Sequence, residues 1–218
     1  MGQEWRGAHP RKRAPWGALA LAMLTGLALM RNGTDVGFGP PQPAAAAARD
    51  HGSDGPAGPR VAGVAALPYA PASRIRIPAV KIDAPMMDVG LDQQGWIEAP
   101  PPQDANLAGW YQNGIAPGQQ GTSVVVGHVD NSTGPAVFFG LGSVRKGQRV
   151  EVDRFDGRTA VFEVYGVEVY SKEDFPGARV YGDSGQPELR VITCGGGYSK
   201  DSGYAGNVVV YARLVATR

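Results

Sequence analysis

Cysteine is nearly absent: Cys194 is the only one in 218 residues. No disulfide can brace a single molecule, so the fold must rest on apolar burial. Histidine is scarce too, and of His9, His51 and His128 only the last lies outside the N-terminal third. No loop is dense in Asp and Glu, so no required metal or other cofactor is expected. The formal net charge is only +1. No basic, aromatic-bearing face interrupts the C-terminal two thirds, which argues against nucleic acid as a partner. Heptads and internal repeats are missing, which excludes coiled coils and solenoids. What the chain does have is glycine (32) and proline (18), together with 43% hydrophobic residues. That composition favours many short strands and tight turns around one real core.

The first 72 residues differ from the rest. "RGAHPRKRAP" is basic and precedes the apolar run "WGALALAMLTGLALM", residues 16–30. At about 15 residues this run is short of the roughly 20 needed to span a bilayer unaided. It fits a signal sequence or a flank-assisted signal-anchor, with Arg11, Lys12 and Arg13 holding the N-terminus cytoplasmic. No small-x-small site follows Met30 directly, which favours an uncleaved single-pass anchor in the cell membrane. Residues 31–72 are Pro/Gly/Ala-rich and carry few bulky apolar side chains. They are expected to be mostly disordered and to tether a domain at 73–218.

Within that domain, apolar runs of strand length recur between glycines. "RIRIPAVKI" (74–82) begins with charged and branched residues in alternation, a half-buried strand pattern. "GTSVVVGHVD" (121–130), "RVEVDRFDG" (149–157), "RTAVFEVYGVEVY" (158–170), "ELRVITC" (188–194) and "NVVVYARLV" (207–215) read as further strands, with a hairpin at Asp156-Gly157. "LAGWYQNG" (107–114) reads as a short helical turn, and "AVFFGLGSV" (136–144) as a short helix or irregular segment. The sum is mainly β: a closed or nearly closed antiparallel barrel, with a sandwich as the alternative.

Cys194 ends one strand and precedes Gly195, Gly196 and Gly197. An unpaired thiol in an exported protein points to a reactive group, and glycines beside it let backbone approach a ligand. A thiol needs a basic or cationic neighbour to become a nucleophile. His128 also sits at a strand end, in "VVVGHVD", and the pair reads as a Cys–His site. Asp130 either orients His128 or closes the turn, and the turn is favoured. An oxyanion donor is the third requirement. Arg190 precedes Cys194 by four residues, so period two puts both on one strand face, about 13 Å apart. Asn207 opens the next strand across the glycine-rich loop, while Arg213 lies about 20 Å along it and ranks last.

"SVVVGHVD" together with "LRVITCGG" resembles the sortases, cysteine transpeptidases of Gram-positive bacteria. The resemblance covers residues 73–215, and "RIRIPAVKIDAPMMDVGL", "GWY", "FF", "VYG" and "NVVVYA" are most similar to the actinobacterial class F branch. It implies an eight-stranded sortase β-barrel on the outer face of the membrane; a monomer is expected. Cys194 would attack the Thr–Gly carbonyl of an LPxTG-like sorting signal, and the acyl-thioester would pass to an amine such as a peptidoglycan precursor. His128 would be the general acid/base. The arginine that opens the final strand in many sortases falls on Asn207 here. Arg190 is therefore the expected oxyanion donor, with Asn207 as the alternative. Two rival readings remain. One is an L,D-transpeptidase-like wall enzyme, which usually carries its histidine and cysteine close together in sequence. The other is a non-enzymatic tethered barrel that binds a wall component.

Overall fold

Alternation of side chains along each strand decides where the core sits. In β9 (Glu188–Ser199), Leu189 and Val191 are fully buried in the main core, while Ile192 packs in a second cluster on the opposite face. In β10 (Gly203–Thr217), Val208, Val210 and Ala212 point into the main core, and Val209 and Tyr211 into the second. This is the period-two rule applied to a sheet covered on both sides. The computed structural model describes residues 39–49 and 64–218.

Eight strands close into a barrel in the order β1 (Ala72–Ile77), β2 (Ile82–Val89), β3 (Ala108–Tyr111), β4 (Thr122–Gly127), β9, β10, β8 (Thr159–Ser171) and β7 (Arg149–Arg154). β7 pairs back onto β1, which removes any free sheet edge. The barrel is mixed rather than antiparallel throughout, because β2 runs parallel to β3 and β4 parallel to β9. β5 (Asp130–Asn131) and β6 (Gly134–Pro135) form a small separate ribbon beside it.

Three expectations need correction. "RIRIPAVKI" is two strands, not one: Pro78–Val80 form a 3-10 turn that ends at Lys81, whose φ is +57°, because proline cannot donate to the ladder. "LAGWYQNG" contributes β3, a strand rather than a helical turn. Its pairing with both β2 and β4 overrides the local preference. The glycine-rich "GGGYSKDSGYAG" continues the β9–β10 hairpin, leaving only residues 200–202 as its tip. "AVFFGLGSV" supplies a 3-10 turn at Phe139–Ser143.

Part of the Pro/Gly/Ala-rich stretch lies on the barrel. Ala47 is buried in the main core, and Arg49 Nε donates to Glu168 Oε1 at 2.9 Å while its guanidinium stacks 4.3 Å from the Tyr211 ring centre. Leu67 N donates to Gly118 O at 2.8 Å. The rest of the expected linker, residues 31–38 and 50–63, and the apolar run 16–30 lie outside the described residues. Among the described residues no helix is long and apolar enough to cross a membrane.

Candidate active site

The outer face of β4, β9 and β10 carries the candidate site residues. Val124, Val126 and His128 share one face of β4 and its continuation, and Arg190, Ile192 and Cys194 share the matching face of β9. β4 and β9 are in register through Val126 and Ile192, so the next residues along bring His128 and Cys194 side by side. One bond supports that alignment: Thr193 Oγ1 donates to Gly127 O at 2.8 Å, from a residue only 4% exposed. Thr193 precedes the thiol and Gly127 precedes the imidazole, so the tie joins the two backbones at the site. Gly127 has no room for a side chain, since a Cβ there would lie 2.6 Å from Phe138 Cδ2.

Cys194 and His128 line one cavity of about 450 Å³, together with Asn207 and Lys172. Cys194 is partly exposed and free. His128 Nε2 lies 2.7 Å from the Pro100 carbonyl oxygen. A carbonyl only accepts, so Nε2 carries a proton and Nδ1 is the nitrogen left to accept one. Asn207 is the direct cross-strand partner of Cys194 and shares its face. A bulge follows in β9, where Gly196 takes φ +79° and opens the ladder between Tyr204 and Gly206.

The cavity's far wall is apolar. Trp96 and Ile97 come from the β2–β3 connection, where Asp92 Oδ1 accepts from Gln94 N at 2.9 Å and from Trp96 N at 2.8 Å. Phe175 and Tyr181 come from the β8–β9 connection, which contains the short helix α1 (Gly177–Tyr181). Thr122 Oγ1 pins that connection to β4 by donating to Gly182 O at 2.8 Å. Such a wall suits an apolar side chain of an extended peptide, with the polar groups at one end.

Arg190 is not brought to this cavity. α1 covers the stretch of face it occupies, and its guanidinium is only 3% exposed. Nη2 donates to Glu188 Oε2 at 2.6 Å, Nε to Val180 O at 3.1 Å, and the group stacks 4.5 Å from the Tyr211 ring centre. Tyr165 also donates to Glu188 Oε2, at 3.2 Å, and burial pushes its phenol up to about 12. Shared strand face was the right inference from period two, but the covering helix sends the side chain into a buried ion pair. Arg213 stands opposite Glu188 on β10, remote from Asn207, and pairs with Glu163 Oε1 at 3.2 Å. Asp130 accepts from the Tyr204 hydroxyl. Burial and that bond together raise the Tyr204 pKa above the usual phenol range. Sequence reasoning passed over Thr193, Lys172 and the aromatic wall. The Thr193 tie had a sequence signal in "ITC" beside "VGH", whereas Lys172 had none. Among the described residues no group of three His, Cys, Asp or Glu side chains converges to hold a metal.

The fold and the site define a class, closed β-barrels in which a free thiol and an imidazole line one cavity. The model of the Sortase domain family matches residues 75–215. The chain belongs to the sortase family of cysteine transpeptidases. Among solved structures it is similar to sortase A from Corynebacterium diphtheriae, a lid mutant, at 19% identity and a TM-score of 0.52 over 68% of this chain and 73% of that one. It is similar to the SrtA sortase from Actinomyces oris at 19% identity and a TM-score of 0.51, covering 71% of this chain and 86% of that one. Sortase A of Listeria monocytogenes gives 15% identity and a TM-score of 0.50, covering 69% and 90%. At such identities these likenesses speak for the fold alone. No curated protein matches the chain.

Proposed function

We propose that the protein is a class F-like sortase that joins LPxTG-like sorting signals to an amine at the cell surface. The observation that carries this reading is the shared cavity of Cys194 and His128, aligned by the Thr193–Gly127 bond and walled by apolar groups. Cys194 loses its proton to His128 and attacks the carbonyl between Thr and Gly. The tetrahedral adduct collapses as His128 returns the proton to the leaving amine, giving an acyl-thioester. An incoming amine, such as that of a peptidoglycan precursor, then attacks the thioester and passes its proton through His128, and the thiol is restored. Asn207, facing Cys194 across the strand pair, offers a neutral hydrogen-bond donor to the oxyanion. Arg190 is not assigned this role, because its donors are taken up by Glu188 and Val180. The basic flank and apolar run of residues 1–30 support a single-pass anchor with the barrel outside.

The test uses the full chain with LPxTG-like peptides and a primary amine, followed by mass spectrometry. The reading expects an acyl adduct on Cys194 and an amide product. It expects neither from Cys194→Ala, and only traces from His128→Ala. A wild-type protein whose thiol is labelled by methanethiosulfonate but never acylated would count against transpeptidation.

A further inference from the structure

The oxyanion that forms twice in each turnover is stabilised further by any cation within reach, and one cationic side chain lines the cavity. Of its lining residues, Lys172 is the sole lysine or arginine, and no carboxylate lines the cavity with it. Its position follows from strand register. Asn207 is flanked by Cys194 on β9 and by Tyr170 on β8, so all three share one face. Lys172 is two residues beyond Tyr170, hence on that face again, and its backbone N donates to Ala205 O at 3.0 Å. Two interstrand steps and a two-residue rise put its Cα about 12 Å from that of Cys194. A four-carbon stem ending in an ammonium covers about half of this distance, leaving room for the acyl group between ammonium and sulfur. The side chain is exposed, so it can turn toward a bound peptide.

We infer that Lys172 is a catalytic residue, whose ammonium stabilises the negative charge on the acyl carbonyl oxygen during formation and breakdown of the thioester. This rests on the transpeptidase reading only for the identity of the acyl donor, since any acyl transfer to Cys194 passes through the same oxyanion. The ammonium adds charge, Asn207 adds a directed hydrogen bond, and His128 remains free to carry the proton. Lysine acts here as a point charge, so its contribution is set by distance and screening rather than by a fixed fork. A lysine held beside Glu173 or Asp174 merely as a solvated surface charge would show none of the kinetic behaviour that follows.

Acylation of Cys194 in the full chain is measured in single turnover with two donors in parallel, an LPxTG-like peptide and a p-nitrophenyl acyl ester. Lys172→Met and Lys172→Arg are compared with the parent, after melting curves confirm equal stability. Lys172→Met is expected to lower the acylation rate constant about a hundredfold with both donors, at nearly unchanged half-saturation, the size of one lost oxyanion donor. Lys172→Arg should stay within about tenfold of the parent because the charge is retained. Added salt should slow the parent more than Lys172→Met, because an exposed charge is screened. A rate within about threefold of the parent with both donors overturns the inference, as does a change confined to half-saturation, which would make Lys172 a ground-state binding group. If the peptide fails with the parent but the ester reaction depends on Lys172, the sorting-signal reading falls and this one stands.

Discussion

Arg190→Ala should unfold the barrel more readily without disarming the thiol. The guanidinium and Glu188 are each 3% exposed in their side chains and sit 2.6 Å apart. Truncating the arginine leaves a buried carboxylate whose one remaining side-chain partner among the described residues is the Tyr165 hydroxyl. Breaking one side of a buried pair costs about 3–5 kcal/mol. The lost contact with the Tyr211 ring, 4.5 Å away, is contained in that range rather than added to it, because the groups act as one network. For a domain of this size each kcal/mol lowers the melting temperature by about 2–4 °C, so a drop of about 6–20 °C is expected. The double variant Glu188→Gln/Arg190→Met should recover most of the loss, because neither charge is then left buried and unpaired. Calorimetry gives the melting shift, and acylation kinetics well below the midpoint give the chemistry. Because Arg190 Nε anchors α1 at Val180 O, KM should rise modestly as Phe175 and Tyr181 loosen, while kcat stays within about threefold. A normal melting temperature with a hundredfold loss of kcat would refute this, and would return Arg190 to the oxyanion.

Thr193→Val keeps shape but removes the bond to Gly127 O. About 1 kcal/mol of stability should be lost, and kcat should fall about tenfold as the two strand ends lose their alignment, read by denaturant melts alongside acylation rates. Burial works to raise the Glu168 carboxyl, but the Tyr170 hydroxyl and the Arg49 guanidinium outweigh it and hold its pKa below the ordinary 4.5. Its stabilising contribution is therefore complete above that ordinary value and is lost as pH falls through the lower folded one. Denaturation free energy should drop more steeply from about pH 5 to about pH 3 in the parent than in Glu168→Gln; equal slopes would show that the carboxylate does not hold residues 39–49. Fractionation of expressing cells should place the chain in the membrane with the barrel open to external protease, and a mainly soluble cytoplasmic pool would reject the anchor.

The sequence by itself singled out the candidate pair. Cys194 and His128 stand out because each closes an apolar β run beside glycine, and neither inference needs a distant contact. Strand alternation also put Arg190 and Cys194 on one strand face, and composition with turn residues pointed to a β-barrel, whereas the pairing of Asn207 with Cys194 came only from the register of β9 and β10. What period two cannot say is which part of a face another element covers. α1 lies over Arg190, while Cys194 is partly exposed and lines the cavity, so residues four apart on one strand face meet opposite fates, one a buried ion pair and one an accessible thiol. β3 was misread for a related reason: four residues hold too little local preference to oppose pairing with β2 and β4. Lys172, in a polar run past the end of β8, has no pattern of its own. It joins the site only because β8, β10 and β9 are neighbours in the closed sheet. Local sequence sets each strand's face and its reactive groups, but the order in which strands are laid side by side is a non-local outcome of closing one core. That order decides which charged side chains line the cavity with the thiol.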